Sequence, residues 1–341
     1  MIDYPNKLNI IFDKLNKYDA KPIIVGGFIR DSLLGIKSKD IDIEVYNISS
    51  YKTLQTILQE FGNINLVGKS FGICKLNLDG LDIDFSLPRQ DNKISSGHKG
   101  FSVEIDTSLD FKKASSRRDF TINTIGYDPF TKNFLDPFNA QADLKNKILK
   151  AVDLTKFDED PLRVLRGVVF CARFEFNMSD ELKELCSNMI QNKMLDELPT
   201  QRIFEEIKKM LIKAKKPSIG FALLKELSKS TLLNLKQDEF VSFLKLTDTI
   251  PNINLTSKQL NKLTNIILTI INNESSLETL QKELRKITNP KSILQGRDLI
   301  ELGLTPSKEF SIILAKAYQA QIDKKFTNID EAKRYLKKLL P

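Results

Sequence analysis

Two aspartates, Asp40 and Asp42, combine the residue type and the spacing that suit chemistry at a metal ion. They lie in DIDIEVY (40–46), a strictly alternating segment that predicts a β-strand. On such a strand both side chains project from one face, with Cα atoms about 6.6 Å apart. Converging carboxylates can bind Mg²⁺, and paired ions can activate a hydroxyl and hold a triphosphate leaving group. An exposed strand face with two ordinary aspartates would show the same pattern.

A glycine pair precedes these aspartates. PIIVGG (22–27) predicts a strand, and FIRDSLLG (28–35) predicts a short helix. Gly26 and Gly27 would let the backbone approach a ligand closely, and the amides that open the helix would face an anion. Tight turns need glycine too, so the pair alone is weak evidence. A dinucleotide-binding G-x-G-x-x-G motif is excluded, because Phe28-Ile29-Arg30 follows the pair.

A second acidic pair lies in GLDIDF, where Asp82 and Asp84 are again two positions apart. One of them could supply a third carboxylate or a hydrogen bond to a metal ligand. A merely polar strand face explains the pair equally well, and both interpretations stay open.

Composition narrows the class of protein. The formal net charge of +8 favours polyanionic partners, although a membrane surface or simple solubility would also explain it. The single histidine, His98, excludes a His-ligated zinc site or a His-Asp phosphohydrolase domain and is interpreted as a solvated loop residue. Three scattered cysteines, no signal peptide and no apolar run of membrane-spanning length predict a cytoplasmic protein without a membrane association.

The pattern of elements changes near residue 150. Before it, short strands alternate with helices, and a polar stretch at 88–116 is interpreted as a long, mobile loop. After about residue 155 the periodicity is helical almost throughout. The predicted fold class is therefore α+β, with a mixed α/β head of about five strands followed by an all-α remainder.

Five segments, taken in order, resemble one family. GGFIRDSLLG followed by DID resembles the first motif of class II CCA-adding tRNA nucleotidyltransferases and bacterial poly(A) polymerases. The family's later motifs resemble four further segments, in chain order: 115–128 (SSRRDFTINTIGYD), 135–152, 159–174 (EDPLRVLRGVVFCARF) and 198–211. The resemblance covers residues 20–215 well, and GRDLIELGLTPSKEF (296–310) extends it loosely.

The resemblance implies a role for each matching residue. Asp40 and Asp42 would hold two catalytic Mg²⁺ ions, and Asp160 with Arg163 would recognise the base. Cytosine and adenine both carry an amino group that an aspartate can accept from, which would select CTP and ATP over UTP and GTP. Other implied nucleotide contacts are Gly26, Gly27, Arg30, Asp31, Arg118, Asp119, Asn123 and Arg166.

The sequence departs from the family pattern in three places. The single histidine predicts the CCA-adding type without a His-Asp phosphohydrolase domain. Val169 occupies a position where the family usually has arginine, which puts one nucleotide contact in doubt, and Arg173 could partly substitute for it. Asn139-Ala140 replaces a Gly-Gly pair in the hinge motif, which predicts a stiffer hinge.

The resemblance implies a head at 1–150, neck helices at 151–215, and a helical body and tail at 216–341 that bind tRNA. The expected activity is addition of C, C and A to the tRNA 3′ end, with no obligate protein partner. Addition of A alone, poly(A) synthesis and a non-catalytic RNA-binding role remain alternatives. Gly68-Lys69-Ser70-Phe71-Gly72-Ile73 lacks a second basic residue, which favours the CCA type over the polymerase.

Overall fold

A computed structural model describes residues 2–38, 40–65, 72–78, 80–93, 101–288, 292–302, 304, 306, 309–322 and 325–339. His98 and most of the 68–73 motif lie outside these ranges. The chain forms two compact units, Met1–Leu232 and Leu233–Pro341. The predicted boundaries at 150 and 215 both fall within the first unit, and the division into head, neck, body and tail stays a prediction.

The strands of the described residues all belong to the first unit. They are β1 (Lys21–Val25), β2 (Ile41–Tyr46), β3 (Asn63–Asn65), β4 (Ile73–Leu78), β5 (Leu81–Ser86), β6 (Arg89–Lys93), β7 (Phe101–Ile105), β8 (Gly126–Tyr127), β9 (Phe134–Leu135), β10 (Ile148–Leu149) and β11 (Asn177–Met178).

Helices of the first unit are α1 (Leu8–Asn16), α2 (Gly27–Leu33), α3 (Tyr51–Gln59), α4 (Phe111–Ser116), α5 (Ala140–Asn146), α6 (Leu162–Phe174), α7 (Asp180–Gln191), α8 (Thr200–Lys213) and α9 (Pro217–Leu227). Those of the second unit are α10 (Gln237–Thr249), α11 (Ser257–Ile271), α12 (Leu277–Thr288), α13 (Gly296–Glu301), α14 (Glu309–Ile322) and α15 (Ile329–Leu339). A 3₁₀ turn at Thr121–Asn123 also contributes to the site.

Within the described residues the main sheet has seven strands, in the order β3-β4-β5-β2-β1-β8-β9. Strand β2 pairs in parallel with β5 and antiparallel with β1, so it lies inside the sheet. The five predicted strands are all present. The predicted strand number was too low because β8 and β9 span only two residues each, too few for a detectable alternation.

The prediction of one long loop at 88–116 was wrong. Strands β6 and β7 pair antiparallel from Arg89↔Ile105 to Lys93↔Phe101, and α4 follows. FSVEI in β7 has the alternation of a strand, but RQDNK in β6 is polar throughout. Its extended conformation comes from pairing with β7 rather than from burial of its own apolar side chains.

Helix α6 is the central helix of the all-α part of the first unit. It packs against α8 and α9, and its apolar face is buried. The Phe120 ring makes edge contacts with Phe157 and Phe170, with centroids 5.7 Å and 5.4 Å apart. Since Phe120 precedes the 3₁₀ turn and Phe170 lies on α6, these rings join the sheet-bearing region to the helices that follow.

The second unit is helical, and the predicted α+β class is confirmed. Helix α11 begins with a capping box in which Thr256 and Gln259 satisfy each other's backbone amides. Apolar side chains of α13, α14 and α15 form one core cluster, including Leu299, Ala320 and Leu336. In the described part of the chain, none of the helices combines the length and the apolar character needed to cross a bilayer.

We expect Gly126→Ala to destabilise the first unit by about 1–3 kcal/mol, because cores tolerate added atoms poorly. A Cβ at this strand position would lie 2.6 Å from Phe111 Cζ and 2.8 Å from Ile23 Cγ2. Urea unfolding followed by circular dichroism measures the change. The exposed Thr131→Ala serves as the control and should stay within about 0.5 kcal/mol of wild type. Equal stability of the two variants would contradict the packing described for β8.

Candidate active site

The candidate site is a cavity of about 580 Å³ in the first unit. Residues from the sheet form one side, and residues from α6 and the segment before it form the other. Charged groups of both signs dominate its lining, which consists of Val25, Gly27, Arg30, Asp42, Ile73, Asp84, Ser86, Leu87, Arg89, Arg117, Arg118, Asp119, Asn123, Asp160, Arg163, Arg166 and Phe170.

The acidic side of the cavity consists of Asp42 and Asp84. They are register partners on the parallel pair β2 and β5, so their side chains project from the same face of the sheet. Lys75 on β4 is the register partner of Asp84 and lies 2.8 Å from its carboxylate, on the outer, half-exposed side. Asp84, rather than Asp82, is therefore the carboxylate beside Asp42. Asp82 is exposed and accepts a hydrogen bond from Asn77 at 2.7 Å.

The electrostatics of Asp42 reflect this crowding of carboxylates. Burial raises the pKa of Asp42, the positive charge of Arg118 opposes that rise, and the charges of Asp84 and Asp40 add to it. Among the described residues, no group of three or more His, Cys, Asp or Glu side chains could hold a metal ion by itself. A divalent cation here would need further oxygen ligands from a substrate or from water, as Mg²⁺ commonly does.

Asp40 lies one residue before β2 and is exposed. Its backbone carbonyl accepts a hydrogen bond from the Ser38 hydroxyl at 3.3 Å. It is not among the residues that line the cavity, although its charge reaches Asp42. The structure thus places the two predicted metal ligands near each other but gives only Asp42 a place in the cavity wall.

Because Gly26 has no side chain, the Arg118 guanidinium can approach the acidic side of the cavity. Its φ of +69° lies in the left-handed region, and a Cβ there would lie 2.7 Å from Arg118 Nη1 and 3.7 Å from Asp42 Oδ2. Arg118 Nη1 also donates to the Asn123 carbonyl at 2.8 Å. Burial lowers the pKa of Arg118, and within the described residues its buried Nε has no hydrogen-bond partner. Gly26 thus makes room for Arg118 rather than lining the cavity itself.

Arg117 also lines the cavity, and the sequence analysis missed it. Its Nη2 donates to Glu44 Oε1 at 2.9 Å, and the Tyr46 hydroxyl donates to Glu44 Oε2 at 2.6 Å. Glu44 is completely buried, and burial together with the Glu44 charge raises the pKa of Tyr46. The alternation DIDIE was an available signal, because it puts three acids on one strand face and the innermost one needs a cationic partner.

A continuous chain of polar contacts connects the remaining predicted residues. Arg166 donates to Asp119 Oδ2 from Nε at 2.7 Å and from Nη2 at 2.6 Å. Asp119 Oδ1 accepts from Asn123 Nδ2 at 2.9 Å, and Asn123 Oδ1 accepts from Arg30 Nη1 at 2.5 Å. Although burial disfavours its charge, the Asp119 carboxylate raises the pKa of Arg166. These contacts orient four cavity residues relative to one another.

The far end of this chain lies outside the cavity. Arg30 donates to Asp31 Oδ1 from Nε at 2.8 Å and from Nη2 at 2.6 Å, and Arg173 donates to Asp31 Oδ2 at 2.7 Å. Burial lowers the pKa of Arg30. Asp31, predicted to contact the nucleotide, therefore contacts two arginines instead, and Arg173 contacts Asp31 rather than the cavity. Val169 is buried and offers no polar group.

The helical side of the cavity carries Asp160 and Arg163. Asp160 Oδ1 accepts from the Leu162 backbone amide at 3.2 Å, and Oδ2 accepts from Arg202 Nη2 at 3.2 Å. Arg163 Nη1 donates to the Lys156 carbonyl at 2.6 Å. Asp160 is thus fixed by α6 and by Arg202 of α8, a residue to which the sequence analysis assigned no role.

Nine of the twelve predicted site residues line the one cavity, and Gly26, Asp31 and Asp40 do not. The hinge position Asn139 adopts φ +57°, a left-handed conformation that asparagine tolerates better than most residues. The Gly-Gly replacement is therefore compatible with the backbone turn before α5.

Residues 23–150 match the family described as Poly A polymerase head domain. This match confirms the resemblance inferred from the motifs. The matched range contains both acidic strands and the arginine pair at 117–118.

The curated relatives include the Multifunctional CCA protein of Pseudoalteromonas atlantica. It is 35% identical over 206 residues, which are 60% of this chain and 48% of that protein. The chain therefore spans about half the length of the curated relatives it matches. A similar protein of Nitrosospira multiformis is 33% identical over 203 residues, 60% of this chain and 47% of its own length.

Solved structures extend the likeness of fold to nearly the whole chain. A CCA-adding enzyme in complex with CTP matches with a TM-score of 0.61 at 20% identity, covering 99% of this chain and 95% of that one. The Thermotoga maritima CCA-adding enzyme in complex with tRNA matches with a TM-score of 0.60 at 21% identity, covering 100% and 97%. The chain thus has the fold of CCA-adding enzymes.

Proposed function

We propose that this protein is a tRNA nucleotidyltransferase that adds C, C and A to the tRNA 3′ end from CTP and ATP. The nucleotide's α-phosphate would be attacked in line by the terminal tRNA hydroxyl, with release of pyrophosphate and without a nucleic-acid template. One observation carries the proposal: a single cavity brings the Asp42–Asp84 pair together with the Asp160–Arg163 pair. The first pair suits a metal-assisted phosphoryl site, and the second suits recognition of a base edge.

The residues that would hold Mg²⁺ are Asp42 and Asp40, with Asp84 as a third carboxylate beside Asp42. The charges of Asp84 and Asp40 repel that of Asp42 and contribute to its raised pKa. A bound divalent cation would offset this repulsion. When bound, Mg²⁺ would supply charge neutralisation of the triphosphate and activation of the attacking hydroxyl. Lys75 would release Asp84 if that carboxylate became a metal ligand.

The residues that would hold the phosphates are Arg118 and Arg117. Both arginines line the cavity beside Asp42. Guanidinium groups donate to phosphate oxygens in charge-assisted, often bidentate hydrogen bonds. Glu44 holds Arg117 in place from behind and would keep it directed at the cavity.

The residues that would read the base are Asp160 and Arg163. Cytosine and adenine present an exocyclic amino group to an acceptor, whereas uracil and guanine present a carbonyl at the corresponding place. A carboxylate facing that carbonyl would leave two acceptors opposed and unpaired, which disfavours UTP and GTP.

The proposed partner is tRNA. The protein would bind it through basic and largely shape-based contacts, which agrees with the net charge of +8. The proposal needs no obligate protein partner and no membrane, and it places the reaction in the cytoplasm. The Thermotoga maritima structure with tRNA supports this partner through the shared fold.

The direct test is incorporation on three tRNA transcripts that end before CCA, after C and after CC. CTP and ATP are supplied singly and together, and products are resolved at single-nucleotide length. With CTP and ATP supplied together, we expect each transcript to be completed to CCA and nucleotide addition then to stop. Addition of A only to the CC-ending transcript would make the protein A-specific, long A tails would make it a poly(A) polymerase, and binding without incorporation would make it an RNA-binding protein.

We expect Asp42→Ala to abolish incorporation, with a loss of at least about a thousandfold, because it removes the carboxylate at the centre of the acidic side. Asp82→Ala is the matched control, since Asp82 lies on the same face of β5 as Asp84 but outside the cavity. Circular dichroism should show both variants folded. Turnover by Asp42→Ala near that of Asp82→Ala would refute the metal assignment.

We expect Arg163→Ala to relax base choice, raising misincorporation of UTP and GTP relative to CTP and ATP by about tenfold or more. Arg163→Lys keeps the charge but loses the planar fork, so it should be intermediate. Ratios of kcat/KM for the four nucleotides measure the effect. Unchanged rejection of UTP and GTP by Arg163→Ala would count against its templating role.

A further inference from the structure

We propose that Arg173 is a positioning residue that sets where the Arg30 guanidinium stands in the cavity wall. Arg173 does not line the cavity, whereas Arg30 does. The two arginines share one carboxylate, that of Asp31, which is 5% exposed. The catalytic consequence of this inference rests on the proposed nucleotidyltransferase function, but the geometric part does not.

Asp31 divides its two carboxylate oxygens between the two arginines. Oδ2 accepts from Arg173 at 2.7 Å, so Arg30 donates with both Nε and Nη2 to Oδ1 alone. An arginine free to choose would bind a carboxylate through two parallel bonds, one to each oxygen. Arg173 disfavours this arrangement because it takes one of the two acceptor positions of Oδ2 and places a like charge on that side of the carboxylate.

This arrangement preserves a hydrogen bond between Arg30 and Asn123. Arg30 Nη1 donates to Asn123 Oδ1 at 2.5 Å, and Asn123 Nδ2 donates to Asp119 Oδ1 at 2.9 Å. Asp119 in turn holds Arg166. Without the Arg173 bond and its like charge at Oδ2, the Arg30 fork would turn toward that oxygen and draw Nη1 away from Asn123.

Both guanidiniums lie against one aromatic wall, formed by Phe170 and Phe174. The Phe170 and Phe174 rings stack with centroids 5.9 Å apart. The Arg30 Cζ lies 5.2 Å and 4.9 Å from their centroids, and the Arg173 Cζ lies 4.6 Å from that of Phe174. Two like charges can share this wall because the Asp31 carboxylate bonds both guanidiniums and offsets part of their repulsion.

One face of α6 contacts both ends of this polar chain. Arg166, Phe170 and Arg173 are separated by four and three positions, so they lie along one face of the helix. One end of that face holds Arg166 against Asp119, and the other end holds Asp31 through Arg173. The same helix thus fixes Arg30 from the side of Asp31 and from the side of Asn123.

The test compares Arg173→Met with Arg173→Lys and with a control, Lys21→Met. Lys21 pairs with the buried Asp128 at 3.2 Å, and neither residue lines the cavity, so this control also removes one cationic partner from a buried carboxylate. Four readouts are taken: crystal structures, urea unfolding, equilibrium binding of CTP and ATP without tRNA, and steady-state incorporation.

In the Arg173→Met crystal structure we expect Arg30 to bind both Asp31 oxygens and to leave Asn123, with Nη1 and Oδ1 more than about 3.5 Å apart. We expect Kd and KM for the nucleotide to rise about tenfold while kcat stays within about twofold, since binding rather than the reacting centre is disturbed. Arg173→Lys should restore most of the affinity, and Lys21→Met should lose stability without a change in KM.

An Arg30 that keeps its bond to Asn123 in Arg173→Met would overturn the inference, whatever reaction the protein performs. Equal KM changes in Arg173→Met and Lys21→Met would also overturn it, because both losses would then reflect stability alone. A wild-type protein that binds neither CTP nor ATP would refute the proposed function, and the crystal structures would still decide the position of Arg30.

Discussion

The structure depends on the need to neutralise charges that the fold removes from water. Arg30 and Asp31 are each 5% exposed, and a buried charge is tolerated only when it is paired and hydrogen-bonded. Their partners come from the 3₁₀ turn through Asn123 and from α6 through Arg173. Displacement of either element would remove one partner of a buried charged group, so the polar chain fixes the walls of the cavity relative to each other.

The same constraint gives different roles to two acids on one face of β2. Glu44 is completely buried, is neutralised by Arg117 and the Tyr46 hydroxyl, and holds an arginine in the cavity wall. Asp42, two residues earlier, reaches the cavity and has Asp84 beside it in register. Alternation along one strand therefore supplies both an anchored guanidinium and a carboxylate whose charge the protein only partly compensates.

Sequence reasoning found the elements with strong periodicity and the residues within recognisable motifs. The alternation of β2 and the helical spacing of α6 predicted both elements, and nine of twelve site residues line one cavity. It missed β6, whose polar sequence is extended only because β7 pairs with it. It could not foresee that Asp31 and Gly26 act by holding or admitting arginines, because such roles follow from contacts between residues far apart in the chain. Arg202 is a further example, since its contact with Asp160 spans 42 positions.

The geometry of Asp160 bears on how a protein group could choose between bases. Each carboxylate oxygen has two lone pairs, and each accepts one hydrogen bond within the protein, from Leu162 and from Arg202. One acceptor position per oxygen would remain for a base, with the carboxylate plane already fixed. A fixed acceptor cannot turn away from a carbonyl, so a wrong base would face an unrelieved repulsion, whereas a rotating side chain would escape it. Selectivity would then rest as much on the contacts that hold Asp160 as on Asp160 itself.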